Sequence, residues 1–116
     1  MSDLAARLIA AARAMTAAGL NAGTAGNVSA RCGEGFLITP TGMAYDRLQA
    51  EDIPFMTLDG ESRGRSKPSS EWRFHRDLYA TRPEAGAVVH AHSPYATSLA
   101  CLRRDIPPFH YMIARF

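Results

Sequence analysis

A chain of 116 residues is long enough for one small domain and too short for two. Hydrophobic residues make up 47% of it and charged residues 21%, which excludes an intrinsically disordered protein. A net charge of +2 argues against nucleic acid as a partner, and no apolar run approaches the roughly 20 residues that a membrane span requires.

Spacing and turn residues predict the elements of the first half. A first helix, capped by Ser2 and ended by Gly19, is predicted from an apolar stripe at helical spacing: Leu4, Leu8, Ala11, Ala12 and Met15. After a glycine-rich loop, strands over 28–31 and 36–38 flank a turn at 33–35 and predict a hairpin. Small residues over 39–42 then predict a second loop.

The second half continues the same alternation. A strand is predicted at Ile53–Leu58, and Ser69 or Ser70 is predicted to cap a helix that starts near Glu71 and ends before Pro83. A strand over 87–91, a short helix over 95–101 and an apolar segment over 109–116 follow. This order predicts a mixed α/β layered domain.

The compartment is predicted from the N-terminus and the cysteines. Met1-Ser2-Asp3 has neither the basic start nor the short apolar core of a signal peptide. Cys32 and Cys101 form no disulfide framework and no Cys-x-x-Cys metal pattern, so we predict two buried or half-buried thiols. We therefore expect a cytoplasmic protein.

The pair His90-Ala91-His92 is the sequence feature that bears most directly on function. A strand sends residues i and i+2 to the same face, so both imidazoles can reach one point. Together with the carboxylate of Glu71, the set becomes His, His, Glu, a common ligand combination for a catalytic divalent metal such as zinc. Because manganese, iron and cobalt accept the same ligands, the sequence leaves the metal's identity open.

Three loops carry groups that suit a phosphate. Their candidate ligands are Asn27, Thr41, Gly42, Ser69 and Ser70. Backbone amides beside small hydroxyl or amide side chains bind phosphate well, particularly where a helix opens. A basic cluster surrounds the serines and is interpreted either as a solvated surface or as an attractor of an anionic substrate; it comprises Arg63, Arg65, Lys67, Arg73 and Arg76.

Five motifs in fixed order resemble the class II aldolase/adducin family, most closely its fuculose-phosphate aldolase branch. They are Gly23-Thr24-Ala25-Gly26-Asn27-Val28-Ser29, Ile38-Thr39-Pro40-Thr41-Gly42, Pro68-Ser69-Ser70-Glu71-Trp72, Val89-His90-Ala91-His92 and His110-Tyr111-Met112-Ile113-Ala114. The resemblance covers residues 1–116 and implies the N-terminal portion of a three-layer α/β/α sandwich with a largely antiparallel central sheet. It also implies a homotetramer.

The resemblance implies a zinc-dependent aldolase that cleaves a sugar phosphate to dihydroxyacetone phosphate and an aldehyde. In that family's pattern His90, His92 and Glu71 bind the metal, and Glu71 also acts as acid/base. The five loop residues hold the substrate phosphate. Tyr111 matches a tyrosine that donates a proton in the neighbouring subunit's site.

The chain departs from the family pattern after Phe116, where a second half with a third histidine ligand would follow. Neither His75 nor His110 is expected to replace that ligand. His75 shares a helical face with Glu71 and is interpreted as a packing residue or as a support for the metal ligands. His110 is interpreted as structural.

Other functions remain open on the sequence alone. A pentulose-phosphate 4-epimerase or a methylthioribulose-1-phosphate dehydratase would use the same metal and phosphate motifs. An adducin-like interaction domain, or a truncated and inactive chain, is a non-catalytic alternative, although it has no need of the histidine pair and Glu71. A plain domain with hydrogen-bonded histidines is the preferred interpretation for a lone histidine, but not for this full set of residues.

Overall fold

A computed structural model describes residues 2–115; the last residue of the apolar segment predicted over 109–116 lies outside them. The helices and strands are α1 (Ser2–Ala17), β1 (Asn27–Cys32), β2 (Gly35–Ile38), β3 (Phe55–Thr57), β4 (Ser62–Arg63), α2 (Trp72–Thr81), β5 (Ala87–His90) and α3 (Pro94–Cys101). Single 3₁₀ turns occupy Tyr45–Arg47, Ala50–Asp52 and Tyr111–Arg115. None of the helices described in residues 2–115 has the length and apolar character to cross a membrane.

All strand pairs are antiparallel, in the order β4-β3-β2-β1-β5. The hairpin predicted around residues 33–35 is confirmed: Cys32 pairs with Gly35, and Gly33 takes a φ of 56° in the turn. Within residues 2–115, β5 pairs only with β1, so the described sheet is open at that edge. In this register Asn27, the first residue of β1, lies opposite His90, the last residue of β5.

Helix α1 covers one face of the sheet. Its buried residues are Ala5, Leu8, Ile9, Ala12 and Met15, and they pack with Val28 and Leu37. The predicted stripe is thus rotated, since Ala11 is exposed and Ala5 and Ile9 take its place. Ser2 is the first helical residue rather than the cap. Gly19 ends the helix as predicted, with a φ of 72° and a bond from the Leu20 N–H to the Met15 carbonyl, a Schellman motif.

Helix α2 covers the opposite face, which completes a three-layer α/β/α arrangement and confirms the predicted fold class. Its Tyr79 packs with Phe36, Ile38 and Met56, all buried, in a second core. Phe36 and Leu37 alternate between the two cores, as strand geometry requires. The two cores explain why β2 reads as a continuous apolar run.

Several predicted boundaries were wrong. The predicted strand Ile53–Leu58 contracts to Phe55–Thr57 because Ile53 closes a 3₁₀ turn. Neither serine caps α2: Glu71 occupies the N-cap position, and Ser69 Oγ instead accepts from the Glu71 N–H at 3.2 Å in the turn before it. Cys32 is half-buried as predicted, but Cys101 is exposed because α3 buries no side chain.

Arg31 ties β1 to the end of α2. Its guanidinium donates to the carbonyls of Tyr79 (3.0 Å), Arg82 (3.0 Å) and Ala85 (2.8 Å) and lies 4.8 Å from the centroid of the Tyr79 ring. The last carbonyls of a helix have no intrahelical partner, and Arg31 satisfies that of Tyr79 together with two carbonyls in the segment after α2.

We expect Arg31→Met to lower the free energy of unfolding by about 2 kcal/mol, since a charged donor to three carbonyls is lost. Arg47→Met, at an exposed 3₁₀ turn, is the control and should change it by less than about 0.5 kcal/mol. Urea unfolding followed by circular dichroism measures both. Equal losses in the two variants would contradict the anchoring role of Arg31.

Candidate metal and phosphate site

Two loops meet beside the start of α2. The Ser69 N–H donates to the Thr39 carbonyl and the Thr41 N–H to the Lys67 carbonyl, both at 3.0 Å, around an antiparallel bridge between Pro40 and Pro68. Prolines fit here because the donors of this bridge come from their neighbours. The pairing brings the Thr41-Gly42 and Ser69-Ser70 loops side by side.

A cavity of about 340 Å³ lies between these loops, the glycine-rich loop and Glu71. Its lining contains all five residues predicted to hold phosphate: Asn27, Thr41, Gly42, Ser69 and Ser70. His92, Gly26 from the same predicted loop as Asn27, and the further residues Thr24, Ala25 and Pro40 complete it. The structure therefore brings the predicted phosphate ligands together around one volume with Glu71 on its wall.

Glu71, His90 and His92 converge on one point. Glu71 Oε2 lies 3.0 Å from His90 Nδ1 and 3.2 Å from His92 Nε2. One ligand atom from each residue falls within 4.8 Å of the other two. Tetrahedral ligands about 2.1 Å from a zinc ion stand roughly 3.4 Å apart, so the spacing fits a single ion.

The hydrogen bonding of His90 also fits a ligand role. Its Nδ1 is buried and has no hydrogen-bond partner among residues 2–115, although a Glu71 oxygen lies 3.0 Å away. A buried unpaired ring nitrogen is unfavourable unless something else coordinates it. A divalent cation held by the trio would supply that partner, so these residues fit the group.

The carboxylate of Glu71 is held in its ionised form. Partial burial opposes ionisation, but a hydrogen bond from Asn27 Nδ2 (2.7 Å), a hydrogen bond from His92 and the charges of His90 and His92 together lower its pKa. An ionised carboxylate suits both metal ligation and proton abstraction. Glu71 stands 26% exposed, within reach of a molecule in the cavity.

Gly26 lets the glycine-rich loop before β1 approach β5. Its φ is 80°, and a Cβ built there would stand 2.9 Å from the carbonyl oxygen of His90. The Tyr45 hydroxyl donates to the Gly26 carbonyl at 2.7 Å and fixes the loop from the other side. No side chain fits without moving the backbone of His90.

We expect Gly26→Ala to cost about 1–3 kcal/mol of unfolding free energy and to weaken zinc binding, because the added methyl pushes on the His90 backbone. Gly23→Ala is the matched control: it also has positive φ, 59°, but nothing lies within 4 Å of its added Cβ. Thermal unfolding and zinc titration check both. If the two variants bind zinc equally well, the close approach does not constrain His90.

A buried polar chain leads from Glu71 into the second core, and the sequence interpretation did not foresee it. Asn27 contacts His75, His75 contacts Ser29, and Ser29 contacts Tyr79. Burial, helped by the charge of His90 and opposed by Glu71, lowers the pKa of His75 to about 4. His75 is therefore neutral near pH 7, and it supports Asn27 rather than facing the ligand point.

The remaining candidates lie elsewhere. Tyr111 is 79% exposed, and neither it nor His110, on whose ring it stacks, lines the cavity. No member of the basic cluster lines the cavity either. Arg65 pairs with Asp52 at 2.8 Å, and Arg73 and Arg76 stack on Trp72, which favours the solvated-surface interpretation.

Comparison with known proteins agrees with this geometry. The family described as Class II Aldolase and Adducin N-terminal domain matches residues 6–116. The chain belongs to this family. Class II aldolases are generally metal-dependent, and the trio of Glu71, His90 and His92 is a possible metal-binding site within such a member.

Two named relatives indicate the chemistry found in this family. The 5-methylthioribulose-1-phosphate/5-deoxyribulose-1-phosphate aldolase of Rhodospirillum rubrum is 60% identical over 107 residues, 92% of this chain and 48% of that protein. The L-fuculose phosphate aldolase of Escherichia coli K12 is 50% identical over 113 residues, 97% of this chain and 53% of that protein. This family member thus spans about half the length of the curated relatives it matches.

A solved structure supports the fold of this class II aldolase family member. An L-fuculose 1-phosphate aldolase superposes with a TM-score of 0.87 at 39% identity, covering 98% of this chain and 55% of that one. The open five-stranded sheet and its flanking helices therefore match the class II aldolase fold.

Proposed function

We propose that this chain supplies the metal-binding and phosphate-binding part of a class II aldolase that cleaves a sugar phosphate to dihydroxyacetone phosphate and an aldehyde. One observation carries the proposal: Glu71 and His92 stand on the wall of the same cavity as the five candidate phosphate ligands, with His90 at the same point as both. Phosphate recognition and a divalent ligand set meet within one small volume.

The proposed cofactor is zinc, held by Glu71, His90 and His92. Two nitrogens and one carboxylate oxygen leave coordination positions open, as catalytic zinc sites do. Mn²⁺, Fe²⁺ or Co²⁺ would be accepted by the same ligands. The bound metal would act as a Lewis acid that stabilises negative charge developing beside the substrate carbonyl.

Phosphate binding would hold the substrate by its unreactive end. The Thr41 and Ser69 N–H groups are already engaged in the loop pairing, which leaves the side-chain hydroxyls and the amides of Gly42 and Ser70 for phosphate oxygens. Asn27 Nδ2 keeps a second hydrogen for the same purpose. Fixing this end positions the reacting carbon at Glu71.

Glu71 is the proposed acid/base. Its ionised carboxylate stands at the cavity wall, where it removes or returns the proton on the carbon next to the carbonyl. Tyr111 is the proposed proton donor to the oxygen of the aldehyde half. Its exposure, outside the cavity of its own chain, accords with service in a neighbouring subunit, so the proposal includes a homo-oligomer, a tetramer by family analogy. The cytoplasmic location stays a prediction.

There are two candidate types of substrate. Sequence motifs favour a fuculose-1-phosphate type, while 60% identity to the Rhodospirillum rubrum aldolase favours a 5-substituted ribulose 1-phosphate. Both candidates carry a phosphate and a carbonyl group, and cleavage of either would release dihydroxyacetone phosphate. Epimerase or dehydratase chemistry on the same scaffold remains the alternative.

Metal content of the purified 116-residue chain is the first test. We expect near-stoichiometric zinc by elemental mass spectrometry, and a loss of more than about tenfold in affinity for His90→Ala or His92→Ala. His110→Ala, an exposed histidine away from the cavity, is the matched control and should bind zinc normally. Absence of metal from the wild-type chain under zinc supplementation would contradict the proposed site.

The reaction is tested next by coupled detection of dihydroxyacetone phosphate. Fuculose 1-phosphate and 5-deoxyribulose 1-phosphate are offered separately, and the faster one identifies the substrate type. Release of an aldehyde supports the aldolase. An epimerised or dehydrated product, with no aldehyde, would replace it by one of the sister activities.

A further inference from the structure

A buried hydrogen-bonded chain stands behind the candidate base. Its members beyond Glu71 are Asn27 (4% exposed), His75 (0%), Ser29 (0%) and Tyr79 (2%). The contacts are 2.7 Å from Asn27 Nδ2 to Glu71, 2.5 Å between Asn27 Oδ1 and His75 Nε2, 2.7 Å from His75 Nδ1 to Ser29 Oγ and 2.7 Å from Ser29 Oγ to Tyr79 OH. Asn27, His75 and Ser29 therefore each have a partner on both sides.

The direction of each bond follows from one end. The Glu71 carboxylate only accepts, so the NH₂ group of Asn27 must face it and Oδ1 must face His75. Because Oδ1 also only accepts, His75 carries its hydrogen on Nε2. His75 Nδ1 is then an acceptor for the Ser29 hydroxyl, and the Ser29 oxygen in turn accepts from Tyr79.

The alternative orientation is unfavourable. If the Asn27 amide were turned by 180°, its Oδ1 would face a Glu71 oxygen at hydrogen-bond distance, two acceptors without a hydrogen between them. A neutral histidine with its hydrogen on Nδ1 would permit that orientation, whereas one with its hydrogen on Nε2 opposes it. The Glu71 carboxylate, which only accepts, selects the Nε2 form through Asn27, and the Ser29 hydroxyl, which can donate or accept, is compatible with it.

We propose that His75 is a positioning residue: its Nε2–H fixes the Asn27 amide so that the NH₂ group faces Glu71 and the cavity. This inference rests on the proposed function, in which Glu71 is the base and Asn27 meets the phosphate. The Asn27 NH₂ group would then donate one hydrogen to the Glu71 carboxylate and the other to the substrate phosphate. Misplacing it separates the base from the substrate carbon.

The first test needs no activity. In ¹⁵N NMR of the metal-free chain, His75 is expected as the Nε2–H tautomer, and the Asn27 side-chain NH₂ should exchange slowly with solvent. His75→Gln keeps a donor of similar reach and should preserve the slow exchange, while His75→Leu should abolish it. A wild-type Nδ1–H tautomer would reverse the chain of bonds and overturn the proposal.

Measurement of kcat distinguishes a positioning role of His75 from a general effect on stability. In the active enzyme we expect His75→Leu to lower kcat by about 10- to 100-fold with zinc content unchanged, and His75→Gln to restore it to within about threefold. Tyr79→Phe, which removes only the far hydroxyl, is the packing control and should stay close to wild type. Unchanged kcat in His75→Leu would overturn the proposal.

A double-mutant cycle covers the case in which His75→Leu folds poorly. If His75 acts through Asn27, its replacement should cost no further kcat in an Asn27→Ala background, whereas independent effects would multiply. Multiplying effects would overturn the positioning role. A wild-type chain that lacks aldolase activity defeats the proposed function instead, and leaves the tautomer and exchange results to decide the role of His75.

Discussion

Turnover of the sugar phosphate is expected to fall by about 10²- to 10⁴-fold when Glu71 is replaced by glutamine. The two side chains have the same shape, but an amide does not accept the proton that leaves the substrate carbon. Glu71 sits at the N-cap of α2, where no hydrogen bond from its own side chain caps the helix, so the substitution should leave the fold intact.

Zinc retention distinguishes loss of the base from loss of the site. Because His90 and His92 remain and an amide oxygen still ligates weakly, Glu71→Gln should keep bound metal under zinc-saturating conditions. Glu84→Gln, an exposed carboxylate that lies 3.7 Å from Arg82, is the control and should keep full kcat. Near-normal turnover in Glu71→Gln would rule out its role as base.

Acid should destabilise the folded chain through His75. The pKa of this buried imidazole falls to about 4 from an ordinary 6.5, because burial disfavours its charged form. Between pH 4 and pH 6.5 the imidazole is protonated in the unfolded chain but not in the folded chain. The free energy of unfolding is therefore highest above pH 6.5 and decreases as the pH falls toward 4. The difference between the two pKa values corresponds to about 3 kcal/mol in the free energy of unfolding.

The measurement is urea unfolding from pH 7.5 to pH 4 with a chelator present, so that release of metal adds nothing. His75→Gln removes the titrating group and keeps a donor to Asn27. Its stability should start lower at neutral pH and then decline about 3 kcal/mol less than that of the wild type. Parallel pH curves for the two proteins would show that His75 titrates normally in the folded chain.

Local spacing was enough to predict the hairpin and the extent of α2. The turn glycines predicted the first, and Pro83 predicted the end of the helix over 72–81, although its N-cap is Glu71 rather than either serine. Spacing placed His90 and His92 on one strand face, but β5 ends at His90 and His92 lies beyond it. The convergence of Glu71 with the two histidines was implied by the family resemblance rather than by spacing. The three candidate phosphate loops were identified from their small hydroxyl and amide residues, and the family motifs added the residue roles.

What the sequence did not reveal depends on contacts between distant segments. The 3₁₀ turns at 45–47 and 50–52 follow no period; the first is held by Arg13, whose guanidinium donates to the carbonyls of Tyr45 and Asp46. The polar chain behind Glu71 did have a signal. Asn27 and Ser29 share a strand face, and Glu71, His75 and Tyr79 recur every four residues on a helix. Only the packing of α2 on β1 shows that these stripes face each other.

The position of His90 at the end of the outermost strand has a kinetic consequence. In the part of the chain that the structure describes, β5 is paired on one side only and its Val89 is 57% exposed. Edge segments open more readily than central ones. An ion held between Glu71 and His90 would bridge that strand to the start of α2. Its dissociation rate would then follow the fraying of β5, and hydrogen exchange at this strand should slow in step with metal loading.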